Sequence, residues 1–227
     1  MTKDSCVQAQ APRWLSRLAR LLRSGFFELV LVRLVRRYAR PLHIHGIENL
    51  DRVSGPVIFA AHHESHSDTV IVLAALPKRF RERLVIAAAA DVLFANPVSG
   101  ALASLFFGAI PIEREESALA SLRQVAERLA EGNSLLIYPL GRCSADGSVG
   151  EFKPGVGLLA HLSKAPVVLV GIEGSRDVLP LARRWPRQAA ITVRFAAPIT
   201  YTHASPEAFA KYLELQMARL LTADSRS

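Results

Sequence analysis

The run His62-His63-Glu64-Ser65-His66-Ser67-Asp68 directly follows the apolar stretch Val57-Ile58-Phe59-Ala60-Ala61. It sets an imidazole, His63, five residues ahead of a carboxylate, Asp68, where a buried strand is predicted to give way to a helix. Histidine can take a proton near neutral pH, and a carboxylate one helical turn on can hold the ring and stabilise its charged form. Metal binding is a second reading, because His62, His63, Glu64, His66 and Asp68 are all ligand types. However, His62 and His63 point apart in regular structure and no second ligand cluster completes the site, so no metal is expected. A third reading is a helix cap, with Ser67 or Asp68 at the N-cap. It accounts for Asp68 but not for the histidines around it.

Three further blocks carry chemistry. In Gly108-Ala109-Ile110-Pro111-Ile112-Glu113-Arg114 a strand ends in an arginine whose paired donors suit a phosphate. In Tyr138-Pro139-Leu140-Gly141-Arg142-Cys143-Ser144 a strand ends in a Pro/Gly turn. Phe152-Lys153-Pro154-Gly155-Val156-Gly157 then places Lys153 just before a glycine-started helix, so Lys153 with free backbone N–H groups around Gly155 predicts an anion site. The glycine pattern from Gly155 follows a loop and not a strand, so a dinucleotide fingerprint is discounted. The fourth block, Ala165-Pro166 to Ile172, reads by itself as a core strand.

These blocks must be held by a scaffold, and the chain outlines one. Strands are predicted over 42–46, 56–61, 84–89, 109–112, 134–138, 167–172 and 191–195. Helices are predicted over 68–75, 96–106, 117–130, 156–162 and 206–221. Short apolar strands alternating with helices predict an α/β fold: one domain with a mixed, largely buried sheet flanked by helices, over residues 41–222. Residues 223–227 read as a tail. The two cysteines, Cys6 and Cys143, form no CxxC pattern and suit a reducing compartment.

The net charge of +8 is concentrated at one end. Residues 1–40 hold nine basic side chains against Asp4 and Glu28, a balance of +7. Arg13, Arg17 and Arg20 recur at helical spacing among Trp14, Leu15, Leu18, Leu21 and Leu22. After Gly25, a second apolar stretch runs into Arg33, Arg36, Arg37 and Arg40. Residues 1–40 therefore read as an arm of two basic amphipathic helices able to lie on a bilayer surface. The alternative is a helical pair packed on its own domain with a solvated arginine face. No nucleic-acid motif accompanies the basic arm, so no nucleic acid is expected as a partner. No stretch approaches the roughly 18–20 apolar residues of a spanning helix, and no signal-peptide cleavage site is evident. The expected location is the cytoplasmic face of a membrane, held peripherally.

In this order and spacing, the four blocks resemble the glycerolipid acyltransferase family, of the 1-acylglycerol-3-phosphate acyltransferase type. The family pattern N-H-x-S-x-x-D is matched from His62 to Asp68 with only the opening Asn replaced, by His62. G-x-I-x-I-x-R is matched in full from Gly108 to Arg114. F-P-E-G-T-R-S is matched in part from Tyr138 to Ser144, with Leu140, Arg142 and Cys143 standing at its glutamate, threonine and arginine.

The resemblance implies transfer of an acyl group from a thioester, on coenzyme A or acyl carrier protein, to a lysophospholipid hydroxyl. The most expected acceptor is 1-acylglycerol-3-phosphate, in phospholipid biosynthesis. It further implies His63 as general base oriented by Asp68, with Arg114 and Lys153 neutralising the acceptor phosphate; Gly141, Arg142 and Gly155 are also expected in the substrate-binding site. No cofactor and no enzyme nucleophile are implied, and no G-x-S-x-G elbow is present. Two other readings stay open. One is a catalytically weak lipid or acyl-carrier binding protein at the membrane surface; the other is a thioester hydrolase.

Overall fold

The computed structural model describes residues 27–89, 103–112, 118–144, 146–180 and 185–222, with Gly25, Asn96, Gly100 and Ala101. The first basic stripe of the arm, Arg114 and the tail after 222 lie outside the described residues. The described residues form seven strands: β1 (Ala39–His45), β2 (Ile58–Ala61), β3 (Leu84–Ala89), β4 (Ala109–Ile112), β5 (Ser134–Ile137), β6 (Val167–Glu173) and β7 (Ala189–Phe195). The helices are α1 (Val32–Tyr38), α2 (Asp68–Ala75), α3 (Lys78–Arg81), α4 (Ala118–Ala130), α5 (Gly155–Ser163), α6 (Ser175–Val178) and α7 (Pro206–Thr222).

The strands form one sheet in the order β1-β7-β6-β2-β5-β3-β4. All neighbours run parallel except β6 and β7. The central strands β2 and β5 are buried at every residue, as their unbroken apolar runs require of a sheet covered on both faces. Alternate residues point to opposite faces, so Phe59, Leu136 and Val168 join one core with α2 and Phe80. Ile58, Leu135 and Leu169 join the other, with α4, α5 and α7. Gly157 lets α5 meet the start of α7, because a Cβ there would run into the Pro206 carbonyl.

The expected mixed, buried sheet is therefore present, with strand bounds close to those read from the sequence. Two differences concern the arm. Its boundary at residue 40 falls inside β1, which begins at Ala39. Its second apolar stretch, a π-turn over Phe27–Leu31 leading into α1, is docked on the domain. Phe27, Leu31, Val35 and Ala39 recur every fourth residue and are buried in the first core. The other side remains open: Leu29, Val30 and Leu34 are 61%, 46% and 47% exposed, alongside exposed Arg33, Arg36 and Arg37. The short helices α3 and α6 and the 3-10 turn Ile47–Arg52 carry no pattern that the sequence reading detects. No helix among the described residues is long and apolar enough to cross a membrane.

Candidate active site

The site forms at the carboxyl ends of β2 and β5, parallel neighbours at the centre of the sheet. Open α/β sheets place their ligands at such strand ends. The chain leaves β2 at Ala61 and turns through His62 to Ser67 before entering α2 at Asp68. That turn is built on Asp68, which is fully buried. Its Oδ2 accepts the Glu64 N–H at 2.7 Å and the Ser65 N–H at 2.8 Å. The same oxygen lies 2.8 Å from His63 Nδ1. Asp68 thus closes the turn, as a capping residue would, and orients the histidine as well.

With its Nδ1–H given to Asp68, the neutral His63 ring offers Nε2 as an acceptor. Nε2 faces Cys143 Sγ at 3.1 Å. Tyr138 stacks on the ring, with centroids 4.0 Å apart. The Tyr138 hydroxyl bonds Thr69 Oγ1 at 2.8 Å, which fixes the stack to the first turn of α2. Burial and the nearby Asp68 charge push the Tyr138 phenol far above its usual range, so it stays neutral. The loop after β5 is tied to the histidine turn. Ser144 N–H donates to the His63 carbonyl at 2.7 Å. His62, buried, has Nε2 3.2 Å from the Ser148 carbonyl and Nδ1 3.3 Å from the Ile172 carbonyl. His62 and His63 do point apart, and His62 holds structure.

Burial alone would lower the His63 pKa. The hydrogen bond to Asp68, the bond to Cys143 and the charges of both outweigh it, holding the ring up at about 9. The midpoint of the His63 ring-proton titration, followed by NMR on the free protein, is expected near 9 and not near 6.5. Cys143→Ala should lower it, because two of the causes vanish. Since the folded value is raised, this pairing contributes stability in full below about 6.5. That contribution is lost as pH rises through about 9, so the melting temperature should fall across that window. A midpoint near 6.5 would refute the assigned pairing.

The remaining expected site residues distribute unevenly. Gly141 adopts φ 72°, a left-handed turn that favours glycine. An added Cβ there would lie 3.2 Å from Lys153 Nζ, so the Lys153 side chain packs against Gly141. Arg142 follows, exposed. Gly155 opens α5, and two N–H groups just ahead of it are engaged elsewhere. Lys153 N–H donates to the Pro139 carbonyl at 2.9 Å, and Phe152 N–H to Glu214 Oε2 at 3.0 Å. The Lys153 main-chain N–H is therefore engaged, and its ammonium is the group it offers to an anion. Whether Arg114 joins Lys153 lies outside the described residues. Among the described residues, no three His, Cys, Asp or Glu side chains converge as metal ligands.

Sequence reasoning misses three participants: Tyr138, Thr69 and above all Cys143. Residue types alone cast Cys143 only as a lost arginine. Its partner lies eighty residues away, in the turn after a strand whose adjacency no local pattern reveals.

The chain belongs to the acyltransferase family, whose model matches residues 41–173 and so spans both halves of this site. It is similar to a chloroplastic 1-acyl-sn-glycerol-3-phosphate acyltransferase of Arabidopsis thaliana, 28% identical over 141 residues, covering 61% of this chain and 38% of that protein. It is also similar to a 1-acyl-sn-glycerol-3-phosphate acyltransferase of Chlamydomonas reinhardtii, 31% identical over 161 residues, covering 68% and 46%. The matched stretch is thus less than half the length of these relatives. In fold it resembles the crystal structure of the 1-acyl-sn-glycerophosphate acyltransferase PlsC from Thermotoga maritima. The TM-score is 0.67 at 18% identity, over 94% of this chain and 82% of that one.

Proposed function

We propose that this protein transfers an acyl group from an acyl thioester to the hydroxyl of a lysophospholipid, with 1-acylglycerol-3-phosphate as the leading acceptor. The observation that carries this reading is the His63–Asp68 pair, 2.8 Å apart at the ends of the two central strands of an acyltransferase-family domain. His63 Nε2 takes the proton as the acceptor oxygen attacks the acyl carbonyl, and buried Asp68 stabilises the imidazolium that results. Lys153, packed against Gly141, and the neighbouring exposed Arg142 supply positive charge for the acceptor phosphate. The donor is an acyl-coenzyme A or an acyl carrier protein thioester.

The direct test combines free-thiol release from palmitoyl-coenzyme A or palmitoyl-acyl carrier protein with mass spectrometry of the lipid, with and without lysophosphatidic acid. Acceptor-dependent release matched by phosphatidic acid supports the reading. Release without acylated lipid would make the protein a hydrolase. Absence of both with either donor would make it a binding protein.

The open face of the Phe27–Leu31 turn and α1 is proposed to meet the bilayer, apolar side chains inserting beside arginines that pair with lipid phosphates. Vesicles containing anionic lipid should retain the protein, less so at high salt. Leu29→Asp with Leu34→Asp should weaken retention by tenfold or more, as each exposed leucine is worth about 1.5–3 kcal/mol when buried. Unchanged retention would place the membrane contact elsewhere.

A further inference from the structure

The nitrogen that must accept the hydroxyl proton is already faced by a thiol. Cys143 Sγ lies 3.1 Å from His63 Nε2, and Asp68 Oδ2 lies 2.8 Å from Nδ1 on the other side of the ring. A nucleophile within reach of a base that a third group orients is the general signature of covalent catalysis. The contact is not incidental to a loose loop. The Ser144 N–H bonds the His63 carbonyl, so the residue beside Cys143 is fastened to the residue that carries the base. The thiol is in no disulfide, and Cys143 is only partly buried. Thiols are strong nucleophiles toward thioesters, and exchanging one thioester for another conserves the activated bond.

We propose that Cys143 relays the acyl group, so that the reaction runs through an S-acyl-enzyme and not by direct attack of the hydroxyl on the donor. The inference rests on the acyl-transfer reading above. In the first half, Cys143 Sγ attacks the donor carbonyl carbon while its proton passes to His63 Nε2. The bond from carbonyl carbon to donor sulfur breaks, and the donor leaves as a thiol with that proton. In the second half, the acceptor hydroxyl gives its proton to Nε2 as its oxygen attacks the Cys143 thioester. The bond from carbonyl carbon to Cys143 sulfur breaks, the thiol recovers the proton, and the lipid ester departs. No oxidant or cofactor enters the balance. The proton affinity of the Asp68-paired ring suits it to receive the thiol proton. Acylation then removes the influence of the thiol on the ring, leaving Nε2 open to the acceptor.

The test is rapid mixing of the full chain with excess palmitoyl-coenzyme A, and separately palmitoyl-acyl carrier protein, without acceptor. Free thiol is followed, and the protein is quenched for intact-mass measurement. The expected result is a burst of thiol equal to the protein present and a gain of one palmitoyl group at Cys143. Neutral hydroxylamine should remove that group, and lysophosphatidic acid should discharge it into phosphatidic acid. Cys143→Ala should show no burst and lose at least about a hundredfold in transfer rate. Cys143→Ser should trap the group as a hydroxylamine-resistant ester or show no burst.

Phosphatidic acid formed by the wild type without a burst, or by Cys143→Ala at the wild-type rate, would overturn the relay while leaving the transferase intact. Acylation that proceeds equally fast in His63→Ala would be adventitious and would also overturn it. If the wild type yields neither acyl-enzyme nor product with either donor, the acyl-transfer reading itself falls.

Discussion

His63→Ala is expected to lower kcat by about two to four powers of ten, the usual contribution of a positioned proton-transfer group. That corresponds to about 3–5 kcal/mol of transition-state stabilisation. The loss should fall on kcat with KM little changed, because the imidazole handles a proton that moves only in the transition state. It should also fall on both routes to product, since Nε2 serves a hydroxyl and a thiol alike. The fold should survive. The turn is closed by the Glu64 and Ser65 N–H bonds to Asp68, and by the Ser144 N–H bond to the main chain of residue 63, none of which needs the ring. The stability cost is one hydrogen bond and the Tyr138 stack, about 1–2 kcal/mol. The measurement is steady-state phosphatidic acid formation beside a thermal melt. Turnover within a few fold of wild type would remove His63 from the chemistry. A collapsed melt would mean that the loss reports folding.

The sequence disclosed the half of this site that is local. His63 and Asp68 are five residues apart across one strand-to-helix turn, so their meeting follows from the turn alone. The strands were legible because their apolar runs are unbroken, as in β2 and β5, where burial on both faces leaves no polar position to blur the bounds. The other half is non-local. Cys143 reaches His63 because β5 pairs with β2 although α2, α3, β3, β4 and α4 intervene in the chain. Residue types at 138–144 therefore suggest a damaged motif where the fold assembles a different one.

The N-terminal stretch shows a second limit. Helical spacing of Phe27, Leu31 and Val35 fixes an apolar stripe but does not say whether a bilayer or a domain covers it. The domain covers that stripe and leaves Leu29, Val30 and Leu34 uncovered. Lys153 illustrates a third: the sequence places it ahead of a glycine-started helix but does not show that its own N–H binds the Pro139 carbonyl and the preceding N–H binds Glu214.

Asp68→Asn separates the charge of the carboxylate from its geometry. Oδ2 accepts three donors, the His63 ring and the Glu64 and Ser65 N–H groups. In the variant only the amide oxygen can occupy that position, because an NH2 there would face two N–H groups head on. The oxygen therefore stays, the turn stays closed, and Nδ1 keeps an acceptor that preserves the ring tautomer. The negative charge opposite the imidazolium is lost. The amide NH2 also comes to rest where Oδ1 now sits, a buried position with no hydrogen-bond partner among the described residues. That orphaned donor should cost about 1–3 kcal/mol of stability. Loss of the charge should lower kcat by about a hundredfold, toward the lower end for a proton-transfer group because the tautomer survives. The loss of charge has a second readout: the His63 titration midpoint should drop well below about 9 as its largest upward influence weakens. Asp68→Ala provides the contrast, since it strips the acceptor from all three donors and should unfold the turn rather than tune the ring. Wild-type turnover and an unmoved titration in the Asp68→Asn protein would mean that Asp68 only closes the turn. His63 would then owe its basicity to Cys143 alone.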